Sequence, residues 1–329
     1  MDKNKILVTG GAGFIGSALI WALNQQGLEN ILVVDFLDEA EKWKNLVPLR
    51  YADYWEADRL LAHLDELNDV ATVYHLGACS ATTERNCRYL VNNNYDYTKT
   101  LAEWALTREA RFVYASSAAT YGDGAQGMDD TLQNLHSLRP LNMYGYSKHM
   151  FDLYAQRRGY LDKIVGLKYF NVFGPNENHK GDMRSLVNKA FDQIQATGKL
   201  NLFKSYHPDY QDGEQQRDFL YVKDAIEMTI HLANSRTAHG LFNLGSGKAH
   251  TWNELATAIF AALGLPPRIE YIDMPEELKD KYQYFTQANI EKLQSTHYKR
   301  PITVLANAVA DYIQNYLLPG KYLGDETAA

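Results

Sequence analysis

Tyr144-Gly-Tyr-Ser-Lys148 places a phenol and an ammonium one helical turn apart, an arrangement that turns tyrosine into a usable acid or base. A free phenol titrates near ~10, and a cation held beside it favours the phenolate and draws that value toward working pH. Tyr95-Asp-Tyr-Thr-Lys99 repeats the spacing in a chain with 23 tyrosines, so position must choose between the two pairs. Ser116-Ser117 closes an apolar run that begins at Arg111, just upstream of the segment carrying Tyr144. Open parallel sheets bind ligands beyond the carboxyl ends of their strands, so a hydroxyl there is placed to hold a substrate alcohol. Tyr95 precedes that run, in an expected crossover helix, where aromatic residues at helical spacing pack. Tyr144 and Lys148 are therefore the candidate catalytic pair.

Thr9-Gly10-Gly11-Ala12-Gly13-Phe14-Ile15-Gly16 follows an apolar strand and opens a helix. Gly10, Gly13 and Gly16 have the spacing of a dinucleotide loop, which needs a tight turn, a close approach of backbone to pyrophosphate, and helix packed on strand. The helix N-terminus adds unsatisfied N–H groups and a partial positive charge. Asp35 ends the second apolar run at the distance where an acid accepts hydrogen bonds from adenosine ribose hydroxyls, which favours NAD. Lys42 follows and has the charge to neutralise a 2′-phosphate, so NAD and NADP both stay open at this point.

The elements that position these residues alternate short apolar runs with amphipathic ones, the pattern of βαβ units. Strands are expected near 5–8, 31–34, 70–76, 111–116 and 164–169, with helices near 15–26, 97–108 and 146–158. After Gly174-Pro175 the pattern changes to a helix near 185–197, a polar loop over 205–216, strands near 219–222 and 241–244 returning to the sheet, a helix near 252–263, a strand near 269–272 and a helix near 302–317. The expected fold class is α/β, a Rossmann-type doubly wound parallel sheet with a smaller mixed α/β substrate-binding lobe. Residues 1–172, with return segments at 219–246, form the expected dinucleotide-binding domain; 173–218 and 247–329 form the nucleotide-sugar-binding lobe. A net charge of −7 over 329 residues gives no basic footprint, which favours a small-molecule partner over nucleic acid. No stretch has the length of a membrane span or the pattern of a signal peptide. Cys79 and Cys87 are the only cysteines, which fits a reducing cytoplasm and gives neither a disulfide framework nor a metal site.

Through Gly10-x-x-Gly13-x-x-Gly16, Ser117 and Tyr144-x-x-x-Lys148 the chain resembles the extended short-chain dehydrogenase/reductase family of nucleotide-sugar enzymes. The stretches 75–84, 114–122 and 169–175, with His179-Lys180-Gly181, Arg217-Asp218-Phe219 and Tyr282-Gln283-x-Phe285-Thr286-Gln287-Ala288, are similar to the branch of that family that epimerises ADP-heptose at C6. The resemblance implies that Phe14 and Ile15 pack along the cofactor, that Asp35 and Phe36 meet its adenosine, and that Lys42 approaches a 2′-phosphate. NADP is then the expected cofactor, with NAD possible, although Ala57 stands where a second lysine would meet that phosphate. It implies further that Leu76, Gly77, Ala78, Cys79 and Ser80 line the cofactor with Asn93 behind them, and that Val172, Lys148 and Lys180 complete its site. Ser117 and Asn171 would hold the sugar. Arg217 would pair with the diphosphate, or alternatively form a surface ion pair with Asp218 or Glu214. Asp182, Lys189, Phe203, Lys204, Ser205, Tyr206 and Tyr282 would line the substrate side. Hydride leaves C6 and returns to the other face, with Tyr144 as one acid/base, Ser117 orienting the oxygen, Lys148 lowering the phenol pKa, and Lys180 as the acid/base facing Tyr144. A homopentamer serving lipopolysaccharide inner-core synthesis is also implied. The rival functions are a UDP-hexose 4-epimerase, a dehydratase, and a non-catalytic dinucleotide-binding sensor. Ala118 and Ala119 after Ser117 lack the acid pair that a dehydratase needs.

Overall fold

The computed structural model describes residues 4–279 and 282–325. The ends of the expected domains, at 1–3 and 326–329, and the pair 280–281 lie outside the described residues. Seven parallel strands form the central sheet in the spatial order Gly240–Leu244, Val165–Tyr169, Arg111–Ser117, Val70–His75, Lys5–Thr9, Ile31–Asp35, Asp53–Glu56. Ile31–Asp35 and Val165–Tyr169 are buried at every residue, as strands covered on both faces must be. The order reverses between Lys5–Thr9 and Val70–His75, and the crevice at such a reversal is where this class of sheet takes ligands.

The helix Met143–Arg157 begins three residues before the periodicity places it, because Asn142 caps it: its Oδ1 accepts the Gly145 N–H at 2.8 Å. Such caps stabilise helices by about 1 kcal/mol, and this one puts Tyr144 in the first turn and Lys148 in the second. Two turns below Tyr144, Asp152 is fully buried. Its carboxylate accepts from Tyr114 Oη and Ser116 Oγ, each at 2.8 Å, and from Lys168 Nζ at 3.1 Å. Lys168 also donates to Thr120 Oγ1, and its ammonium lies 4.6 Å from the centre of the Tyr121 ring.

Beyond residue 170 the expectations hold less well. Phe219–Tyr221 does not return to the central sheet; it pairs in parallel with Asn171–Phe173 as a two-stranded unit. The edge that it would need, Val165–Tyr169, is taken by Gly240–Leu244. A strand absent from the sequence expectations, Leu200–Phe203, pairs with Ile269–Ile272, and His250–Thr251 pairs with Gln216–Arg217. Val222–Asn234 is a further unanticipated helix. The expected C-terminal helix is Leu305–Tyr312 followed by a wider turn over Ile313–Leu317. One apolar cluster runs from Val8 in the central sheet through Leu220 and Phe260 to Tyr312, so the sheet and the C-terminal helices share a core.

Asp152→Ala leaves the Lys168 ammonium buried without its counter-ion. The expected loss is about 3–5 kcal/mol, read as a lowered midpoint in urea or thermal unfolding.

Candidate active site

The glycine loop is built for a close-approaching ligand. Gly10 has φ +68°, and a Cβ there would lie 2.6 Å from Gly77 Cα; one on Gly16 would lie 2.0 Å from the Gly10 carbonyl oxygen. The following helix, Phe14–Gln25, is headed by Gly13 with no side-chain cap and no acid in its first turn, which leaves its first amides open to an anion. Asp35 accepts from the amides of Ala12 (2.9 Å), Gly13 (3.2 Å) and Phe36 (2.8 Å), and from Lys42 Nζ at 2.9 Å. Lys42 is therefore tied to Asp35 and is not a free surface charge.

A cavity of about 460 Å³ runs from this loop along the carboxyl ends of the strands. Gly10, Gly13, Phe14, Ile15, Gly16, Asp35, Lys42, Leu76, Gly77, Ala78, Cys79, Ser80 and Val172 line it, as do Ser117, Tyr144, Lys148 and Lys180. Phe36 and Asn93 line an adjoining space of about 140 Å³ that shares Gly10, Asp35, Lys42, Gly77 and Ala78 and contains Ala57. The loop 76–80 is braced by Asn94, a residue that sequence reasoning missed: its carboxamide bonds both the N–H and the C=O of Cys79 and reaches Ser147 Oγ. A glycine cradle, an uncapped helix N-terminus and an acid at the far strand end fit a nicotinamide dinucleotide.

At the other end of the cavity, Ser117 hydrogen-bonds the Tyr144 phenol and also accepts the Ala119 N–H at 3.1 Å. The structure corrects one expectation here. Burial pushes the Tyr144 pKa up, the Ser117 bond opposes this in part, and Cys79 adds to the rise. Lys148 is not among the groups that move the Tyr144 phenol; its Nζ donates to the Ala115 carbonyl at 2.9 Å. Burial drives Lys148 itself down to about 8, against the pull of Asp152 and Cys79. Lys180, in the turn Asn178–Met183, is half-buried with its ammonium 5.3 Å from the centre of the Phe14 ring. Burial lowers its pKa, with Glu177 opposing and Lys189 assisting. Tyr95 stands edge-on to Tyr154, and the Lys99 ammonium covers the same ring at 4.9 Å, so the rival Tyr-x-x-x-Lys pair packs.

A second cavity of about 580 Å³ shares Val172 and Met183 with the first. Asn171, Lys189, Phe203 and Tyr282 line it, together with Trp252, Gln193 and Asn201, which the sequence reading did not single out. Arg217 packs behind its wall, 5.1 Å from the Tyr282 ring and 5.8 Å from that of Trp252. It is 6% exposed and forms no ion pair among the described residues; its donors meet the carbonyls of Gln216 (2.8 Å) and Gln283. The surface-pair alternative fails, since Asp218 is occupied by the amides of Ser246, Gly247 and Ala288 and Glu214 accepts from Asn253. Besides Arg217, four expected substrate residues do not line either cavity. Lys204 and Tyr206 turn outward to Asp273 (3.0 and 2.9 Å), Ser205 closes its own loop through Asp212 and His207, and Asp182 is exposed, offering only its carbonyl to Lys189.

A dinucleotide cleft, a Ser-Tyr-Lys end and a second pocket against it define a nucleotide-sugar enzyme of the Rossmann class. The model of the NAD dependent epimerase/dehydratase family matches residues 6–245. A protein of Nitratidesulfovibrio vulgaris (strain DP4) named ADP-L-glycero-D-manno-heptose-6-epimerase is 53% identical over 94% of this chain and 97% of its own length. One of the same name from Fusobacterium nucleatum is 42% identical over 95% and 98%. The crystal structure of the Helicobacter pylori protein of that name has 28% identity and a TM-score of 0.80, covering 95% of this chain and 96% of its own. The chain belongs to the NAD dependent epimerase/dehydratase family, and it is an epimerase, an enzyme of the isomerase class.

Gly16→Ala drives a methyl into the Gly10 carbonyl, so it is expected to abolish dinucleotide binding, followed by fluorescence quenching. Lys148 carries its charge in the fold at a cost, because its folded pKa lies below the ordinary 10.5. Lys148→Met is therefore expected to raise the stability of the dinucleotide-free protein at pH 7 by up to about 3 kcal/mol while destroying activity. The unfolded chain binds the extra proton between about 8 and 10.5, so the wild type gains stability as pH rises through that window and the difference between the two proteins shrinks. Thermal unfolding at pH 7, 9 and 10.5 measures it.

Proposed function

We propose that this chain converts ADP-D-glycero-D-manno-heptose to ADP-L-glycero-D-manno-heptose by inversion at C6, with NADP preferred over NAD. The observation that carries this reading is that Lys180, from the turn after Gly174-Pro175, lines the same cavity as Tyr144 and Ser117. Inverting an alcohol carbon by oxidation and return requires proton exchange with an oxygen in two orientations, and one fixed phenol serves only one of them. Near-full-length relatives carrying the heptose epimerase name support the substrate.

In this reading Gly10, Gly13 and the amides of Phe14–Gly16 hold the pyrophosphate, Asp35 the adenosine ribose, and Lys42 the 2′-phosphate. Bound there, the nicotinamide would supply the hydride acceptor and donor, taking hydride from C6 and giving it back to the other face. Ser117 orients the C6 oxygen toward the Tyr144 phenol, which exchanges its proton on one side. Lys148 lies one turn along and holds the positive charge that favours the phenolate once the Ala115 bond is relaxed. Lys180, already driven toward its neutral form by burial, exchanges the proton on the other side. Arg217, buried and without an acid, supplies a guanidinium for the diphosphate, and Asn171 contacts the sugar. Residues 1–172 with 219–246 then serve the dinucleotide, and 173–218 with 247–329 the sugar nucleotide. Assembly as a cytoplasmic homopentamer feeding lipopolysaccharide inner-core synthesis completes the proposal.

The test is NMR analysis of C6 configuration after incubation of the purified protein with ADP-D-glycero-D-manno-heptose. Tyr144→Phe and Lys180→Met are each expected to lower kcat by about 10²–10⁴-fold, and the double variant to show no turnover. A Lys180→Met enzyme with wild-type rates would refute the two-sided proton chemistry.

A further inference from the structure

The second cavity holds one polar side chain with nothing to bind. Of the other polar side chains lining it, Arg184 donates to Asn188 and Asp192, Ser185 to Glu177, and Lys189 to the Asp182 carbonyl. Gln193 accepts the Asn201 N–H at 3.3 Å, Asn171 accepts from Thr286, and Tyr282 accepts from Trp252. Asn201 Oδ1 is buried with no partner, and among the described residues no group reaches its Nδ2. An orphaned buried amide oxygen is costly, and native proteins keep few of them.

Its setting says what would satisfy it. In Leu200–Phe203 the burial alternates, with Leu200 and Leu202 in the core and Asn201 and Phe203 sharing the half-buried face. Phe203, Trp252, Leu255 and Ile272 make the surrounding wall flat and apolar, suited to the face of a planar ring. Rotated out of its sealed position, a carboxamide on that wall with neither end bonded offers one acceptor and one donor in a plane. That pattern matches the amino group and N7 of adenine, the pairing by which asparagine reads this base in nucleic acids.

Resting on the ADP-heptose reading, we infer that Asn201 is the specificity-determining residue for the base of the substrate: its carboxamide turns into the cavity and pairs with the adenine edge, Oδ1 accepting from the exocyclic amine and Nδ2 donating to N7. A hypoxanthine in the same place puts a carbonyl against Oδ1.

The test uses protein saturated with NADP, so that added nucleotide reports the second cavity and not the dinucleotide cleft. Calorimetric titration with ADP, IDP and UDP is expected to show wild-type preference for ADP over IDP of about tenfold or more. Asn201→Ala is expected to bring the two within about twofold, and Asn201→Asp, which keeps the acceptor and loses the donor, to fall between. With ADP-heptose, Asn201→Ala is expected to raise KM with kcat unchanged, since the base is remote from C6 and the contact is equal in ground and transition states. Retained NADP affinity shows that the variants are folded. If Asn201→Ala keeps the full wild-type preference for ADP over IDP, the assignment is wrong, while the epimerase reading stands on turnover. A wild type that prefers ADP but leaves ADP-heptose unconverted refutes that reading and spares Asn201.

Discussion

A carboxylate removed from water must be met by donors, and Asp152 is met by three, from two strands. Tyr114 and Ser116 come from the strand Arg111–Ser117, Lys168 comes from the neighbouring strand Val165–Tyr169, and Asp152 itself belongs to the helix Met143–Arg157. Sliding either strand by one residue turns these donors to the other face of the sheet and leaves a bare charge inside. The pairing Ser116↔Lys168 and Ser117↔Tyr169 is thereby tied to the height of the helix. Ser117 follows Ser116, and Tyr144 and Lys148 stand above Asp152 on the same helix, so one buried ion sets the separation of hydroxyl, phenol and ammonium. Precision in the site comes from this constraint in the core more than from contacts within the cavity.

The same burial sets the chemistry of the cavity. His75, between Thr9 and Thr98, is pushed down to about 3 and His179 to about 4, while Lys148 and Lys180 are lowered and the Tyr144 phenol is raised. Every one of these shifts favours the neutral form, and in each desolvation is the largest cause. A lysine whose pKa is lowered releases its proton more readily than a solvated one, whereas a phenol raised by burial gives its proton up less readily. The stabilisation that offsets those costs comes from the apolar cluster shared by the sheet and the C-terminal helices.

The carboxyl ends of the central strands were legible in the sequence because a strand buried on both faces must be written as an unbroken apolar run, as in Ile31–Asp35. Asp53–Glu56 escaped notice because an edge strand with an exposed, polar face has no such run. Glycine spacing marked the loop, since backbone approaching backbone at Gly10 and Gly16 admits no Cβ. What pattern could not carry was anything set by distant partners. Asp273 draws Lys204 and Tyr206 away from the substrate cavity across 67 to 69 positions of sequence. The direction of the Tyr144 shift depends on burial, which Tyr-x-x-x-Lys spacing does not encode.

The wall between the two cavities explains how one chain joins redox chemistry to recognition of a sugar nucleotide. Val172 and Met183 face both spaces, and Asn171–Phe173 is pinned to Phe219–Tyr221 in parallel register. Arg217 stands two residues before that second strand, and Lys180 lies in the turn that follows the first. In the proposed reaction a diphosphate drawn to Arg217 would pull on the element paired with the strand from which the Lys180 turn departs. In the proposed reaction the substrate must span this wall, its base in the apolar pocket and its C6 between Tyr144 and Lys180. Recognition and proton transfer are then linked through a pair of three-residue strands, and a ligand too short to reach both sides gains the binding without the geometry for inversion.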